Sequence, residues 1–281
     1  MQRMIRPMEL GVMFWPWYEP LETIRELKAI GATCGQLGMP GEADLGPSAA
    51  LDWRAASEAE AFPIATVFAG YQGESYANMD AVEKTVGFVP FATREARLER
   101  TLRLSDFARI LGAPSIACPI GVVPENAADG VYTEVREMVR RVCDHAAGNR
   151  QTFALETGQE RAEVLRQFVE SVARPNLRIN FDPANLILYG TGDPLEAIDV
   201  LAPWIASVHA KDGDWPAQAG ALGEERRLGE GAAEMDRFVA KLREHGYDGG
   251  LFVEREVENL SQRLGDLRHG IDFLQRILGV Q

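Results

Sequence analysis

The sequence predicts an α/β protein, a single (β/α)8 barrel formed by residues 1–281 as one domain, on three observations. Short apolar runs alternate with longer amphipathic segments, and there are eight such runs. The runs are apolar on both faces, as strands of a parallel sheet covered on both sides must be. Eight right-handed βα units favour closure into a barrel, whereas fewer would more naturally leave an open sheet.

The elements follow in order along the chain. A strand over 8–14 (MELGVMF) leads into a helix at 20–30, opened by Pro20 and closed at Gly31, where a left-handed residue ends a helix easily. TCGQLG (33–38), a helix at 47–61 and PIATVFA (63–69) come next. The helix at 93–111 carries Leu98, Leu102, Phe107, Ala108 and Leu111 at the spacing of one helical face, and Gly112 follows it. Then come SIACPI (115–120), a helix at 130–148, TFALE (152–156) and a helix at 159–173. LRINF (177–181) precedes a helix at 194–202 that opens on Pro194, and IASVHA (205–210) precedes one at 233–245, stopped by Gly246. GLFVE (250–254) and a helix at 260–278 complete the set. The longest irregular stretches, 69–92 and 211–232, both follow a strand, the end at which barrel enzymes build their sites.

Composition excludes several classes. Asp and Glu outnumber Lys and Arg 42 to 29, and a net charge of −13 repels polyphosphates at long range. No nucleic-acid partner and no anionic membrane is therefore expected. Cys34, Cys118 and Cys143 are odd in number and lack metal-ligand spacing, which points to a reducing compartment. No apolar run is long enough to span a membrane, and the start, MQRMIRPMEL, holds no leader-like stretch. A cytoplasmic protein is expected.

Chemistry concentrates at the ends of the last four strands. FALE ends in Glu156, INFD runs into Asp182, SVH carries His209 and LFVE ends in Glu254, at intervals of 26, 27 and 45 residues. The first two intervals match one βα unit each; the third fits a unit with the long 211–232 loop inserted. In a parallel barrel all strand C-termini meet at one mouth, so these groups converge. Three carboxylates and one imidazole suit one divalent ion, Mn²⁺ or Mg²⁺ first, with Co²⁺ or Zn²⁺ also compatible. Without a cation such carboxylates repel, and at least one takes up a proton.

The segments LETG, NFDPANL, VHAKD, LGEG and YDGGLFVERE resemble the xylose-isomerase-like TIM-barrel superfamily, the sugar phosphate isomerase/epimerase family that includes ketose 3-epimerases and hydroxypyruvate isomerases. The resemblance is strongest over 150–281. It implies that Glu156, Asp182, His209 and Glu254 bind the metal, and that Glu156 and Glu254 double as acid and base. Several relatives carry a histidine three residues after the Asp; here Asn185 stands there, able to hydrogen-bond a hydroxyl but not to exchange a proton near neutral pH. Family members are often dimers or tetramers, so a homo-oligomer is implied.

Other residues join the candidate site. Lys211, two residues after His209, either holds a substrate oxygen or pairs with a clustered acid. The resemblance also implies a substrate-contacting arginine before LGEG, Arg227 in preference to Arg226. Trp15, Tyr71 and Trp215 lead a set of aromatic residues in the loops at the mouth, suited to stacking on a sugar ring. Gly229-Glu230-Gly231 reads as a glycine turn entering a helix rather than a phosphate cradle, since Glu230 opposes an anion. The expected function is a metal-dependent isomerase or epimerase of a non-phosphorylated carbohydrate or polyhydroxy carbonyl compound, through a metal-stabilised enediolate. A dehydratase or lyase on a keto-sugar or keto-polyol is the alternative, and a non-catalytic carbohydrate-binding barrel the third reading.

Overall fold

The computed structural model describes residue 6, residues 8–218 and residues 220–279. Most of the amino-terminal stretch MQRMIRPMEL, where no leader is expected, lies outside them. In chain order the strands are β1 (Leu10–Phe14), β2 (Gly35–Met39), β3 (Ile64–Ala69), β4 (Ser115–Cys118), β5 (Thr152–Glu156), β6 (Leu177–Phe181) and β7 (Ile205–Ala210). A short pair, β8 (Asp212–Asp214) and β9 (Glu224–Arg226), precedes β10 (Leu251–Val253). Strands β1–β7 and β10 close a parallel barrel, the last pairing back onto the first through Leu10↔Leu251 and Val12↔Val253. The expected (β/α)8 barrel is the fold observed.

The helices are α1 (Pro20–Ala29), α2 (Pro47–Glu60), α3 (Met79–Thr85), α4 (Arg94–Leu111), α5 (Gly130–Gly148), α6 (Ala162–Val172), α7 (Pro183–Tyr189), α8 (Pro194–Leu201), α9 (Met235–Glu244) and α10 (Leu260–Leu278). Gly31, Gly112 and Gly246 all adopt left-handed φ, at +98°, +98° and +76°, as their places after helices require. The fourth strand stops at Cys118, short of the expected 120, because Pro119 has no N–H to donate to a ladder. Three elements were not expected. Helix α3 sits inside the 69–92 stretch, α7 starts directly after β6, and the antiparallel β8–β9 hairpin occupies the 211–232 loop.

Two-residue alternation decides which side chains reach the barrel interior. Phe153, Leu155, Ile179, Phe181, Val208 and Val253 belong to the large apolar layer between strands and helices. Their neighbours of opposite parity point into the barrel. Met13, Phe68, Ala117 and Ala154 form a small apolar cluster there. Gln36, Asn180, Ser207 and His209 are buried polar residues of the same parity class on β2, β6 and β7. The same parity carries Glu156, Asp182, Lys211 and Glu254 inward at the strand C-termini.

Candidate metal centre and active site

Glu156, Asp182, His209 and Glu254 each offer one ligand atom, and these atoms lie within 4.8 Å of one another. His209 Nδ1 is the common focus, 2.9 Å from Glu156 Oε1, 3.1 Å from Glu254 Oε2 and 3.6 Å from Asp182 Oδ2. Asp182 is also the N-cap of α7: its Oδ1 accepts the Asn185 N–H at 3.0 Å, which leaves Oδ2 for the centre. Thr157, from the LETG segment, holds Asp182 at both ends of its backbone, accepting from its N–H at 2.8 Å and donating to its carbonyl at 3.0 Å. Gly158 follows because α7 packs so closely that a Cβ would stand 2.6 Å from the Leu186 nitrogen.

The donor set fits a divalent cation. Asp182 Oδ2, Glu254 Oε2 and His209 Nδ1 are buried and have no hydrogen-bond partner. Buried polar atoms are rarely left so, and three carboxylates facing one another need positive charge between them. Three oxygens and one imidazole nitrogen are the ligands that Mn²⁺ and Mg²⁺ accept, with solvent completing the shell.

Charge around the cluster is uneven. Burial pushes the Glu156 carboxyl up to about 7. Burial acts on Glu254 in the same direction but is outweighed by the charge of Lys211, which holds it well below the carboxylate range. Lys211 Nζ lies 3.2 Å from Glu254 Oε2, 3.0 Å from Glu256 Oε2 and 3.8 Å from Asp182 Oδ2. Burial opposes its charge, yet these carboxylates keep it protonated well above its ordinary range.

A cavity of about 560 Å³ opens over the centre. Glu156, Glu254, Asn185, Lys211, Trp15 and Tyr71 all line it, as do Phe68, Tyr76, Tyr189 and Leu222. Trp215 and Arg227 are not among its lining residues. Trp215 is exposed in the loop that joins β8 to β9. The Arg227 guanidinium lies 3.4 Å from Asp266 and 3.8 Å from Glu230, and Arg226 pairs with Asp214 at 2.6 Å, so acids outside the cavity hold both. Asn185 Nδ2 donates to the Thr157 carbonyl at 3.0 Å, which fixes the amide against β5.

The GEG turn is occupied from within. Asp212 accepts N–H bonds from Gly229 at 2.9 Å, Gly231 at 3.0 Å and Ala233 at 3.0 Å, as well as from Gly213. Its carboxylate sits where an anion would bind. Sequence reasoning did not single out Gln36, Thr157, Glu225 or Glu256. A glutamine inside the otherwise apolar TCGQLG run was the available signal for the first.

Residues 24–277 match the family model described as the xylose isomerase-like TIM barrel. A xylose isomerase domain protein from Planctomyces limnophilus is 35% identical, with a TM-score of 0.91 over 96% of this chain and 97% of that one. A xylose isomerase-like TIM barrel protein from Mycobacterium smegmatis, solved in complex with magnesium, aligns at 0.71 with 18% identity over 97% and 96%. A D-psicose 3-epimerase solved in the presence of D-fructose aligns at 0.71 with 15% identity over 97% and 100%. A search of curated proteins found no match. The family match over most of the chain and the 35% identity to a solved member agree: this protein belongs to the xylose isomerase-like TIM barrel family.

Proposed function

We propose that the protein is a divalent-metal-dependent isomerase or epimerase of a non-phosphorylated carbohydrate or related polyhydroxy carbonyl compound. The observation that carries this reading is the convergence of Glu156, Asp182 and Glu254 on the bare Nδ1 of His209 at the floor of an aromatic-walled cavity. These four residues would hold Mn²⁺ or Mg²⁺; the magnesium complex of the mycobacterial relative is consistent with that choice. A bound divalent ion supplies Lewis acidity toward a carbonyl and its neighbouring hydroxyl, which makes the adjacent C–H acidic enough to ionise near neutral pH.

The chain's own groups do the rest. Glu254, kept anionic beside Lys211, takes the proton from carbon, and Glu156 delivers one from the other side of the mouth. Removal on one face and return on the other inverts a carbon; transfer between neighbouring carbons interconverts aldose and ketose. Lys211 and Asn185 orient substrate oxygens, and Trp15, Phe68 and Tyr71 cover the apolar face of the sugar and exclude water.

Charge argues for a non-phosphorylated substrate. Glu74, Glu156, Glu225, Glu254 and Glu256 line the cavity, and Lys211, the one cation that lines it among the described residues, is already engaged by two carboxylates. No arginine lines it among the described residues, and Asp212 fills the one glycine turn suited to phosphate.

The test is turnover of a panel of free sugars and keto-polyols in D₂O, followed by NMR. Deuterium retained in a sugar product supports isomerisation or epimerisation. An unsaturated product points instead to the dehydratase or lyase reading, which Asn185 favours because its tethered amide cannot exchange a proton. Binding without turnover would mark a carbohydrate-binding barrel.

No helix among the described residues is long and apolar enough to cross a membrane. Cys34, Cys118 and Cys143 are all buried, and Cys118 and Cys143 are free thiols, which fits our placement of the protein in the cytoplasm. A dimer or tetramer is the assembly we propose, and sedimentation would decide it.

A further inference from the structure

We infer that Gln36 is a positioning residue for the metal centre: it fixes the orientation and tautomer of His209 from the opposite wall of the barrel. Gln36 is on β2 and His209 on β7, and they meet across the interior. His209 Nε2 lies 2.7 Å from Gln36 Oε1. Gln36 Nε2 donates to Asn180 Oδ1 at 3.1 Å, and Ser207 Oγ donates to the same oxygen at 2.5 Å. This chain has one polarity. With Asn180 Oδ1 receiving two donors, Gln36 presents its amide nitrogen to Asn180 and its oxygen to the imidazole. That oxygen can only accept, so Nε2 keeps a proton, and the neutral ring that would ligate a cation offers its lone pair at Nδ1, on the side of the three carboxylates.

Two further observations show that the arrangement is built. The β2–β3 ladder shifts register between Gly35 and Gln36, and the β6–β7 ladder shifts between Ile179 and Asn180. Register irregularities re-aim side chains, and both occur at members of this chain of hydrogen bonds. The Phe68 ring packs against the imidazole at 5.1 Å between centroids and 34° between planes, a tilted contact that supports one face of the ring while Gln36 sets its rotation. All four polar members are buried, Gln36, Asn180 and His209 with no measurable exposure, so no solvent replaces a lost partner.

The inference rests on the metal reading above, and one experiment separates the two. Metal-stripped wild type, Gln36→Met and Gln36→Glu are titrated with Mn²⁺ and followed by calorimetry, with thermal melts of the stripped proteins as the folding check. Gln36→Met fills the space without an acceptor and is expected to weaken Mn²⁺ binding about 10- to 100-fold, the usual cost of losing an outer partner of a ligating histidine. Gln36→Glu restores the acceptor and is expected to bind within a few-fold of wild type. Nitrogen-15 spectra of the Mg²⁺-loaded proteins read the ring directly: a single species protonated at Nε2 in wild type and Gln36→Glu, and loss of that single species in Gln36→Met. A Gln36→Met protein that melts normally, binds Mn²⁺ as tightly as wild type and keeps the Nε2–H spectrum overturns the role of Gln36. A wild type that takes up no Mn²⁺ overturns the metal reading itself, and this inference with it.

Discussion

Strands β1 to β4 end in Phe14, Met39, Ala69 and Cys118, whereas β5, β6, β7 and β10 end in or run into Glu156, Asp182, the His209–Ala210 pair and Glu254. The same repeating unit thus builds two unlike walls of one cavity. The first half contributes Met13, Trp15, Phe68, Ala69 and Tyr71, a surface for recognising the apolar face of a ligand. The second contributes Glu156, Asp182, His209 and Glu254, the four residues proposed to hold the ion, and Lys211, groups able to hold charge and move protons, together with the neutral amide of Asn185. In a barrel the strand C-termini are equivalent by geometry, so the division of labour is written in side chains alone. The two walls should respond differently to mutation: loss on the ionisable side ought to remove chemistry, and loss on the aromatic side ought to weaken binding.

The sharpest break of that contrast is Asp182→Asn. The amide keeps the cap on α7, because its oxygen can still accept from the Asn185 N–H, while the charge at the centre is lost. Metal analysis should find bound Mn²⁺ or Mg²⁺ strongly depleted, and turnover should fall by about a thousandfold or more, since several kcal/mol of Lewis-acid stabilisation leave with the ion. Unchanged metal content would take Asp182 out of the ligand set. Next in size is Glu254→Gln, expected to lower kcat by at least about a hundredfold, the usual contribution of a positioned acid or base. Full activity in a metal-bound Glu254→Gln protein would exclude Glu254 from proton transfer.

The ionisable wall was largely legible in the sequence, and the reason is local. FALE, INFD, SVH and LFVE each put an ionisable side chain at the end of an apolar run, so strand identity and strand end are read together. The eight strands and their following helices emerge from the same alternation. What escaped depends on long-range packing. PANLILY in α7 is an apolar run without a helical stripe; it turns helical because Asp182 caps it and Pro183 opens it. The β8–β9 hairpin has only three residues per strand, fewer than a two-residue pattern needs to stand out. Arg227 turned outward because Asp266, on α10, competes for its guanidinium from a distant part of the chain. Gln36 lies 173 positions from His209, a pairing that only closure of the barrel creates.

The acidic half should also be the pH-sensitive half. Glu160, in the loop after β5, is buried with neither carboxylate oxygen hydrogen-bonded, and burial pushes its carboxyl up to about 8. The folded value lies above the ordinary 4.5, so as pH rises the unfolded chain gives up this proton first. Stability from this residue is therefore full below about pH 4.5 and declines until the folded carboxyl ionises near 8. Glu160→Gln removes the titration. Thermal melts should match wild type at pH 4.5 and show the variant more stable by about 1–3 kcal/mol at pH 8.5. A gap that does not widen between those values would mean that Glu160 finds a partner.

The smallest effect, and the most specific to the aromatic side, concerns Trp15. Its ring lies on bare backbone: a Cβ at Gly38 would stand 2.5 Å from it, and one at Gly70 would stand 3.1 Å away. Gly38 on β2 and Gly70 just after the neighbouring β3 thus make a slot that holds the indole against the cavity wall before any ligand arrives. Removing the ring with Trp15→Ala should raise KM about tenfold with kcat nearly unchanged, the mark of binding energy shared by ground state and transition state. Gly38→Ala leaves the tryptophan in the sequence but forces it out of the slot, so it should reproduce most of that rise. Both variants should hold Mn²⁺ as wild type does, because neither residue is one of the four ligands. If either one instead lowered kcat while leaving KM alone, the aromatic wall would be shaping the reacting geometry, and the separation of recognition from chemistry across the barrel would fail.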